Sequence, residues 1–343
     1  MNRYSASFQP FPLHFKKPAG TSRGFLNSKP TWIISIRDNE KKTEGLGECS
    51  IISGLSIDPE NEIEQKLQEV CNQINASVNF DLNSLFSSRF PAINFALESA
   101  YFNLNTGRKD ILFDNYFSRR EKGIDINGLV WMASVDDMFH QAKTKYESGF
   151  KCLKFKIGAL DFEREIELLK RVRNELSNEI EIRLDANGAF SLKEALHKIE
   201  ILSGFNIHSL EQPIKPGQWD AMTEICRQSP IPIALDEELI GIDVRKASEL
   251  FDAIQPAYLI LKPSLVGGFS ASDTWVNHAE EKKIGWWATS ALESNLGLNA
   301  IAQWVANKKL KMPQGLGTGS LYIQNYPIDL EIKSGQLWFN SKG

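Results

Sequence analysis

The sequence predicts an α/β chain, a (β/α)8 TIM-type barrel with an N-terminal α+β capping domain, and three observations carry the prediction. From about residue 125 onward, eight short apolar segments recur with starts 24 to 29 residues apart. Charge-rich stretches with apolar residues at helical spacing separate most of them. The first 120 residues do not share the repeat. Strand–helix units of such even length are what a parallel barrel needs. An open doubly wound sheet is the alternative, and the lack of a Gly-rich phosphate turn speaks against it.

Taken in order, "TWIISIRDNEKKTEGLGEC" (31–49) reads as two strands around a polar turn. Residues 61–74 and 90–107 read as helices, with Pro91 suited to a helix start and Gly107 to a helix end. The barrel strands are expected at 126–132, 152–158, 181–187, 207–213, 231–237, 258–264, 284–290 and 312–319. Residues 161–179 and 191–204 are two of the intervening helices, and Ser191 with Glu194 has the S-x-x-E form of a capping box. Residues 327–339 read as a further hairpin. The expected domains are a cap over 1–120 and a barrel over 121–324, with 325–343 returning to the cap.

Composition narrows the function classes. The 343 residues are 42% hydrophobic and 24% charged, ordinary for a large globular domain with a smaller companion. Thirty-nine basic against 43 acidic residues leave a net charge of −4 with no basic block, so no nucleic-acid partner is expected. Cys49, Cys71, Cys152 and Cys226 lie far apart, without metal-ligand spacing, which predicts a reduced, cytoplasmic protein. The opening "MNRYSASFQPFPLHF" lacks the apolar core of a signal peptide. No run approaches the roughly 20 apolar residues of a membrane span. The expected partner is a small molecule, and nothing in the sequence speaks to oligomeric state.

Polar residues mark the ends of the predicted barrel strands. Lys154 and Lys156, two positions apart in "CLKFKIG", project to one face of their strand. Later segments end in Asp185 and Asn187, in Glu211, in Asp236 and Glu237, and in Lys262, while the seventh leads into Ser290, Glu293 and Ser294. Barrel active sites form at these C-terminal strand ends. An acid at a strand end is often a helix cap, and a lysine there often reaches out to water. The whole set, however, falls in phase with the repeat. Carboxylates crowded at one point need a counter-charge, and a hard oxygen-seeking cation such as Mg²⁺ is the simplest. Lysines buried beside such an ion are expected to have lowered pKa values, which suits a general base. His14, His140, His197, His208 and His278 read as structural or surface residues. There is no G-x-S-x-G elbow, P-loop or zinc-type histidine pair. Spacing alone leaves the third acid open between Asp236 and Glu237.

"KFKIG", "LDANGAF", "LEQPI", "ALDEEL" and "LILKPSLVGG", in this order and spacing, resemble the enolase superfamily and within it the muconate-lactonizing subgroup. The resemblance spans nearly the whole chain. It implies a Mg²⁺ site, which Mn²⁺ can also fill, on Asp185, Glu211 and Asp236, favouring Asp236 over Glu237. It implies removal of a proton α to a carboxylate, with Lys156 as the base and Lys262 facing it across the site. Lys154, Asn187 and Glu237 become supporting neighbours, Lys154 holding the pKa of Lys156 down by like-charge repulsion. Two cap loops, about 18–26 and 51–55, are expected to close over the substrate. Arg23 in "GTSRG", with Ser290 and Glu293, is a substrate-binding candidate.

Three segments, 18–26, 45–56 and 126–132, resemble the subgroup's dehydratase branch. That implies loss of water from a cyclohexadiene carboxylate bearing a hydroxyl and a succinyl chain, leaving an aromatic ring. Racemisation of N-acylamino acids or epimerisation of dipeptides is the alternative within the superfamily. Dipeptide epimerases carry an Asp-x-Asp at strand eight, whereas this chain reads "GLGTGS" at 315–320. Lysines and acids intact on five strands argue against a non-catalytic, ligand-binding barrel.

Overall fold

The structure, a computed structural model, describes residues 2–21, 24–308 and 310–340. Five strands open the chain: β1 (Tyr4–Pro10), β2 (Leu13–Thr21), β3 (Gly24–Lys29), β4 (Thr31–Asp38) and β5 (Thr43–Ser50). β4 and β5 are the hairpin expected at 31–49, and β1 adds to β4 to make an antiparallel sheet. β2 and β3 pair separately. Helix α1 (Ile63–Ala76) buries Ile63, Leu67, Val70, Cys71 and Ile74, one stripe at helical spacing, in a core shared with Ile34 and Ile36. Helix α2 (Pro91–Thr106) starts at Pro91 and stops at Gly107, whose φ of 62° suits glycine, as the sequence predicts. Gly45 and Gly47 let α2 lie directly on β5. A Cβ on either would stand 1.9 Å from a backbone carbonyl oxygen of α2.

A short β6 (Ile124–Asp125) precedes seven parallel strands: β7 (Gly128–Val130), β8 (Cys152–Lys156), β9 (Glu181–Asp185), β10 (Ile207–Glu211), β11 (Ile233–Leu235), β12 (Tyr258–Leu261) and β13 (Gly285–Ala288). They neighbour one another in chain order. The helices α3 (Val135–Glu147), α4 (Phe162–Glu175), α5 (Leu192–Ser203), α6 (Trp219–Gln228), α7 (Ala247–Ile254), α8 (Pro263–Val266), α9 (Phe269–Glu281) and α10 (Asn295–Ala306) intervene or follow. Seven of the expected strands are thus present. The eighth, 312–319, is reduced to two bridges: Gln314 pairs with Ile126 and Gly315 with Thr289. These bridges join the two edges of the sheet. A stretch of one proline and three glycines cannot sustain a longer ladder. Outward residues such as Leu153, Phe155, Ile182, Leu184, Leu259 and Leu261 pack in the main core, while Ala234, Ile260 and Trp287 form a separate cluster inside the barrel.

Two expectations need correction. Ser191 is the N-cap of α5, but its hydroxyl donates to Glu194 Oε2 at 2.8 Å and accepts from no helix N–H. Glu194 is drawn to Lys198 one turn on, so the serine follows the carboxylate. The C-terminal hairpin, β14 (Leu330–Lys333) with β15 (Gln336–Phe339), does not join the cap sheet. It pairs with β6, ahead of the first barrel strand, where Ile124 and Phe117 cover its apolar Leu337 and Phe339. The segment that does reach the cap is 321–326. The Lys16 N–H donates to the Leu321 carbonyl at 2.8 Å, Tyr322 bridges Phe15, and the Ile323 N–H donates to the His14 carbonyl at 2.9 Å. The Tyr326 ring meets Phe11 at 5.9 Å, so the expected return to the cap holds for the residues just ahead of the hairpin.

Two buried carboxylates of the cap hold it on the barrel. Glu98 of α2 accepts from the Phe269 N–H and, at 3.1 Å, from the Ser270 N–H at the start of α9. Glu48 of β5 accepts from the Ser294 and Gly297 N–H groups, each at 2.9 Å, at the start of α10. Negative charge at a helix N-terminus is favourable, so each contact orients the cap over the strand ends. Among the described residues, no helix is long and apolar enough to cross a membrane.

A third buried acid makes the cap sensitive to pH. Asp58 accepts from the Ala92 N–H at 3.0 Å, its second oxygen has no partner, and burial pushes its carboxyl up to about 7. The folded state therefore holds a proton that the unfolded chain releases at the usual aspartate pKa, so stability falls as pH rises from about 4 to about 7. Asp58→Asn, which keeps the acceptor oxygen, should flatten that decline in thermal melts across this range. A decline of equal slope in the variant would assign the pH dependence elsewhere.

Candidate active site

Strand register brings the charged residues together. Lys156 of β8 is the cross-strand partner of Asp185 on β9, and Asp185 is the partner of Glu211 on β10. Asp236 follows β11 and Lys262 follows β12. The Lys154 Nζ lies 2.7 Å from both carboxylate oxygens of Glu211 and 2.8 Å from Asp185. The Lys156 Nζ lies 2.7 Å from Asp185 Oδ2 and 2.7 Å from Asn187 Oδ1. Lys262 pairs with Asp236. Lys154, Asp185, Glu211 and Asp236 are at most 4% exposed, too deep for water to screen them. Asp236 precedes a short helical turn but makes no capping bond with its side chain, so the cap reading of this acid fails.

These pairings reverse one expectation. Burial alone would lower the pKa of Lys154, but Asp185, then Glu211 and Asp236, outweigh it and raise it. Lys262 is likewise raised, burial being outweighed by Asp236 and then Glu237. Lys154 is therefore a neutralised partner of two acids and not a free charge repelling Lys156. Asp185 is pulled well below the usual range: burial opposes ionisation, but Lys154 and Lys156 overcome it. Glu211 is raised, by burial and then by its neighbour Asp185. Glu237 is raised by burial and then by Asp236.

Asn187 is a clamp. Its φ of 45° is left-handed, a region asparagine tolerates better than most residues. It accepts from Lys156 and donates through Nδ2 to Glu237 Oε1 at 2.8 Å. Above these groups opens a cavity whose lining includes Lys154, Lys156, Asn187, Glu237, Lys262 and Ser290. Leu26 of β3 and Ile52, Ser53 and Leu55 after β5 form its cap side, so both expected cap segments reach it. Glu293, expected to bind substrate, does not line this cavity. It is fully buried and accepts from the Ser264 hydroxyl at 2.5 Å and the Ser290 hydroxyl at 2.6 Å. Arg23 lies outside the described residues.

The donor set suits a hard divalent ion: three buried carboxylates end adjacent strands, and Glu237 Oε2 is buried without a hydrogen-bond partner. Among the described residues, no three acid, histidine or cysteine side chains as placed form a ready cage for an ion. Here the ammonium groups of Lys154 and Lys262 balance the acids, a role an ion would share.

Comparison with known proteins gives the family. A family model described as "Enolase C-terminal domain-like" matches residues 137–334. The chain belongs to the enolase superfamily. Within the superfamily it is 44% identical to an o-succinylbenzoate synthase of Desulfotalea psychrophila, over 98% of this chain and 99% of that one. The crystal structure of MenC from Desulfotalea psychrophila LSv54 matches with a TM-score of 0.89 and 41% identity, over 98% of this chain and 100% of that one. An L-amino acid-D/L-Glu epimerase of Francisella philomiragia is 28% identical over 62% of this chain and 60% of its own.

Sequence reasoning passed over Gln212, the residue after Glu211. Its φ is 39°, and its Oε1 accepts from the Asp236 and Glu238 N–H groups, each at 3.2 Å. Its Nε2 donates to Glu238 Oε2 and to the Ile214 carbonyl, each at 3.0 Å. One carboxamide thus sets the backbone that carries Asp236 and Glu237. A buried polar residue before a proline at a strand end was the available signal. Gln212→Ala leaves buried N–H groups unpaired, at about 1–3 kcal/mol. It should also raise the Mg²⁺ concentration for half-maximal turnover by about tenfold, as loss of a residue behind metal ligands does. An unchanged Mg²⁺ dependence would restrict Gln212 to stability.

Proposed function

We propose that this chain converts 2-succinyl-6-hydroxy-2,4-cyclohexadiene-1-carboxylate to 2-succinylbenzoate, a hydro-lyase step of menaquinone biosynthesis. The observation that carries this reading is the 44% identity to an o-succinylbenzoate synthase over nearly the whole of both chains. The epimerase relative is more distant and shorter in match. The cavity supports the same choice. Gly315, Gly317 and Thr318 line it where an epimerase of dipeptides would need acids, and Glu237 is the one carboxylate among its described lining residues.

The proton to be removed lies α to a carboxylate and is far too weak an acid for an amine in water. Members of the superfamily depend on Mg²⁺. Asp185, Glu211 and Asp236 are the residues that would hold Mg²⁺, or Mn²⁺ in its place. The ion supplies positive charge that offsets the charge developing on the substrate carboxylate. Lys156, whose amine reaches the cavity, is the base that takes the proton from the ring carbon bearing the carboxylate. The electron pair left behind forms the ring double bond as the C–O bond to the neighbouring hydroxyl breaks. Lys156 then returns the proton to the departing hydroxide, giving water and the aromatic product. Lys262 keeps its charge and stabilises the enediolate, consistent with its raised pKa beside Asp236. Asn187 fixes the Lys156 amine, and Lys154 balances Glu211 and Asp185. The unit 121–324 carries these groups and 1–120 caps them. The protein acts in the cytoplasm on a small-molecule carboxylate, with no nucleic-acid partner.

Two variants test the assignment. Lys156→Ala should remove aromatisation by several orders of magnitude, because base and acid are lost together. Lys262→Arg keeps the charge but cannot act as a base at neutral pH, and should retain measurable dehydration. Equal losses in both variants, or efficient epimerisation of N-succinylamino acids by a wild type that fails to aromatise the diene, would overturn the synthase reading.

A further inference from the structure

A lysine outside the catalytic set ties together three walls of the cavity. Lys29 ends β3 and is 1% exposed. Its ammonium donates to the Ser50 hydroxyl at 2.7 Å, the Ala291 carbonyl at 2.6 Å and the Leu292 carbonyl at 2.9 Å. An ammonium has three N–H bonds, and all three are used. Each acceptor belongs to a segment that lines the cavity. Ser50 ends β5 and leads into Ile52, Ser53 and Leu55, while Ala291 and Leu292 line the cavity themselves. Lys29 itself stands three residues beyond Leu26, the contribution of the β2–β3 hairpin.

The loop after β13 needs this support. Leu292 has a φ of 62°, a left-handed conformation that a residue with a side chain keeps only where its surroundings hold it. Its carbonyl also accepts from the Tyr322 hydroxyl. Glu293 and Glu48 oppose the lowering of the Lys29 pKa by burial, so the buried charge is offset from both the cap and the barrel. Such a group is costly to bury merely to stabilise a fold, since an apolar residue would serve there at less expense.

We infer that Lys29 is a positioning residue that holds the mouth of the cavity in its substrate-binding shape by tying the cap hairpin and the loop after β5 to the loop after β13. The identity of the substrate in this inference rests on the proposed function. Without the tie, Leu26, Ile52, Leu55 and Leu292 no longer converge unaided, and the substrate must order them as it binds. That cost falls on affinity. Lys156, Asn187 and the three acids keep their places, so the chemical step is largely preserved.

Steady-state kinetics on full-length Lys29→Met and Lys29→Arg, with Mg²⁺ and the cyclohexadiene carboxylate, test this. Lys29→Met should raise KM about tenfold or more, with kcat within about threefold of wild type. Lys29→Arg, which keeps a charged donor, should recover part of that loss. A folded Lys29→Met with unchanged KM, or with a loss confined to melting temperature, overturns the inference. If Lys29→Met does not fold, Ser50→Ala removes one acceptor and leaves the charge. It should raise KM with kcat unchanged, and an unchanged KM there overturns the inference equally. A wild type that converts N-succinylamino acids instead marks failure of the substrate assignment, and the same split between KM and kcat on that substrate still decides the role of Lys29.

Discussion

The Lys154 ammonium between Asp185 and Glu211 is the contact on which the rest of the molecule depends. Three members of one buried charge group come from three adjacent strands, β8, β9 and β10, and none is more than 4% exposed. Taking such charges out of water costs several kcal/mol apiece, and only close, multiple pairing offsets it. A slip of one residue in any strand would turn its charge toward the apolar helical layer and bring a leucine or phenylalanine inside. The charge group therefore demands one register, and the outward-facing aliphatic residues supply the energy that holds it. Beneath it the interior is closed by Trp287, Ile260 and Ala234, with the Arg183 guanidinium 4.0 Å from the Trp287 ring. Above it, Lys156 and Lys262 remain the partly exposed cations, which is what a site that must exchange protons with a substrate requires.

The cap is bound to this site by charge as well as by apolar surface. Glu98 and Glu48 reach across to the starts of α9 and α10, and Lys29 reaches to the loop after β13. Every one of these contacts falls on segments after β12 or β13, on the side that bears Lys262. The opposite side, after β8 and β9, carries Lys156 and Asn187. These polar ties thus fall on the wall that bears Lys262, while the proposed base, Lys156, stands on the other.

Much of this was legible in the sequence because it is periodic. The spacing of 24 to 29 residues marked the strands, and the K-x-K pair and the acids fell in phase with it. What was not legible depends on partners distant along the chain. Nothing in "CLKFKIG" tells that Lys154 would meet two acids 31 and 57 residues away and rise in pKa instead of falling. The eighth strand looked equal to the others, but its glycines leave only two bridges. The hairpin expected at 327–339 is present as local structure, yet its partner was chosen by the apolar side chains of Ile124 and Phe117, which it helps to bury. Glu293 looked like a group for substrate because it stands near a strand end. Two serine hydroxyls satisfy it inside the protein. Lys29 and Gln212 carry no periodic signal, and their roles follow only from what they touch.

If the buried carboxylates and lysines form a site that works only with a divalent ion to share their charge, removing the ion must stop turnover. Single-turnover aromatisation of the cyclohexadiene carboxylate, followed by the absorbance of the product against Mg²⁺ concentration after exhaustive chelation, decides this. No product should form without the ion, and adding Mg²⁺ should restore it saturably. Full turnover by metal-free protein would mean that the lysines and acids do the chemistry without an ion.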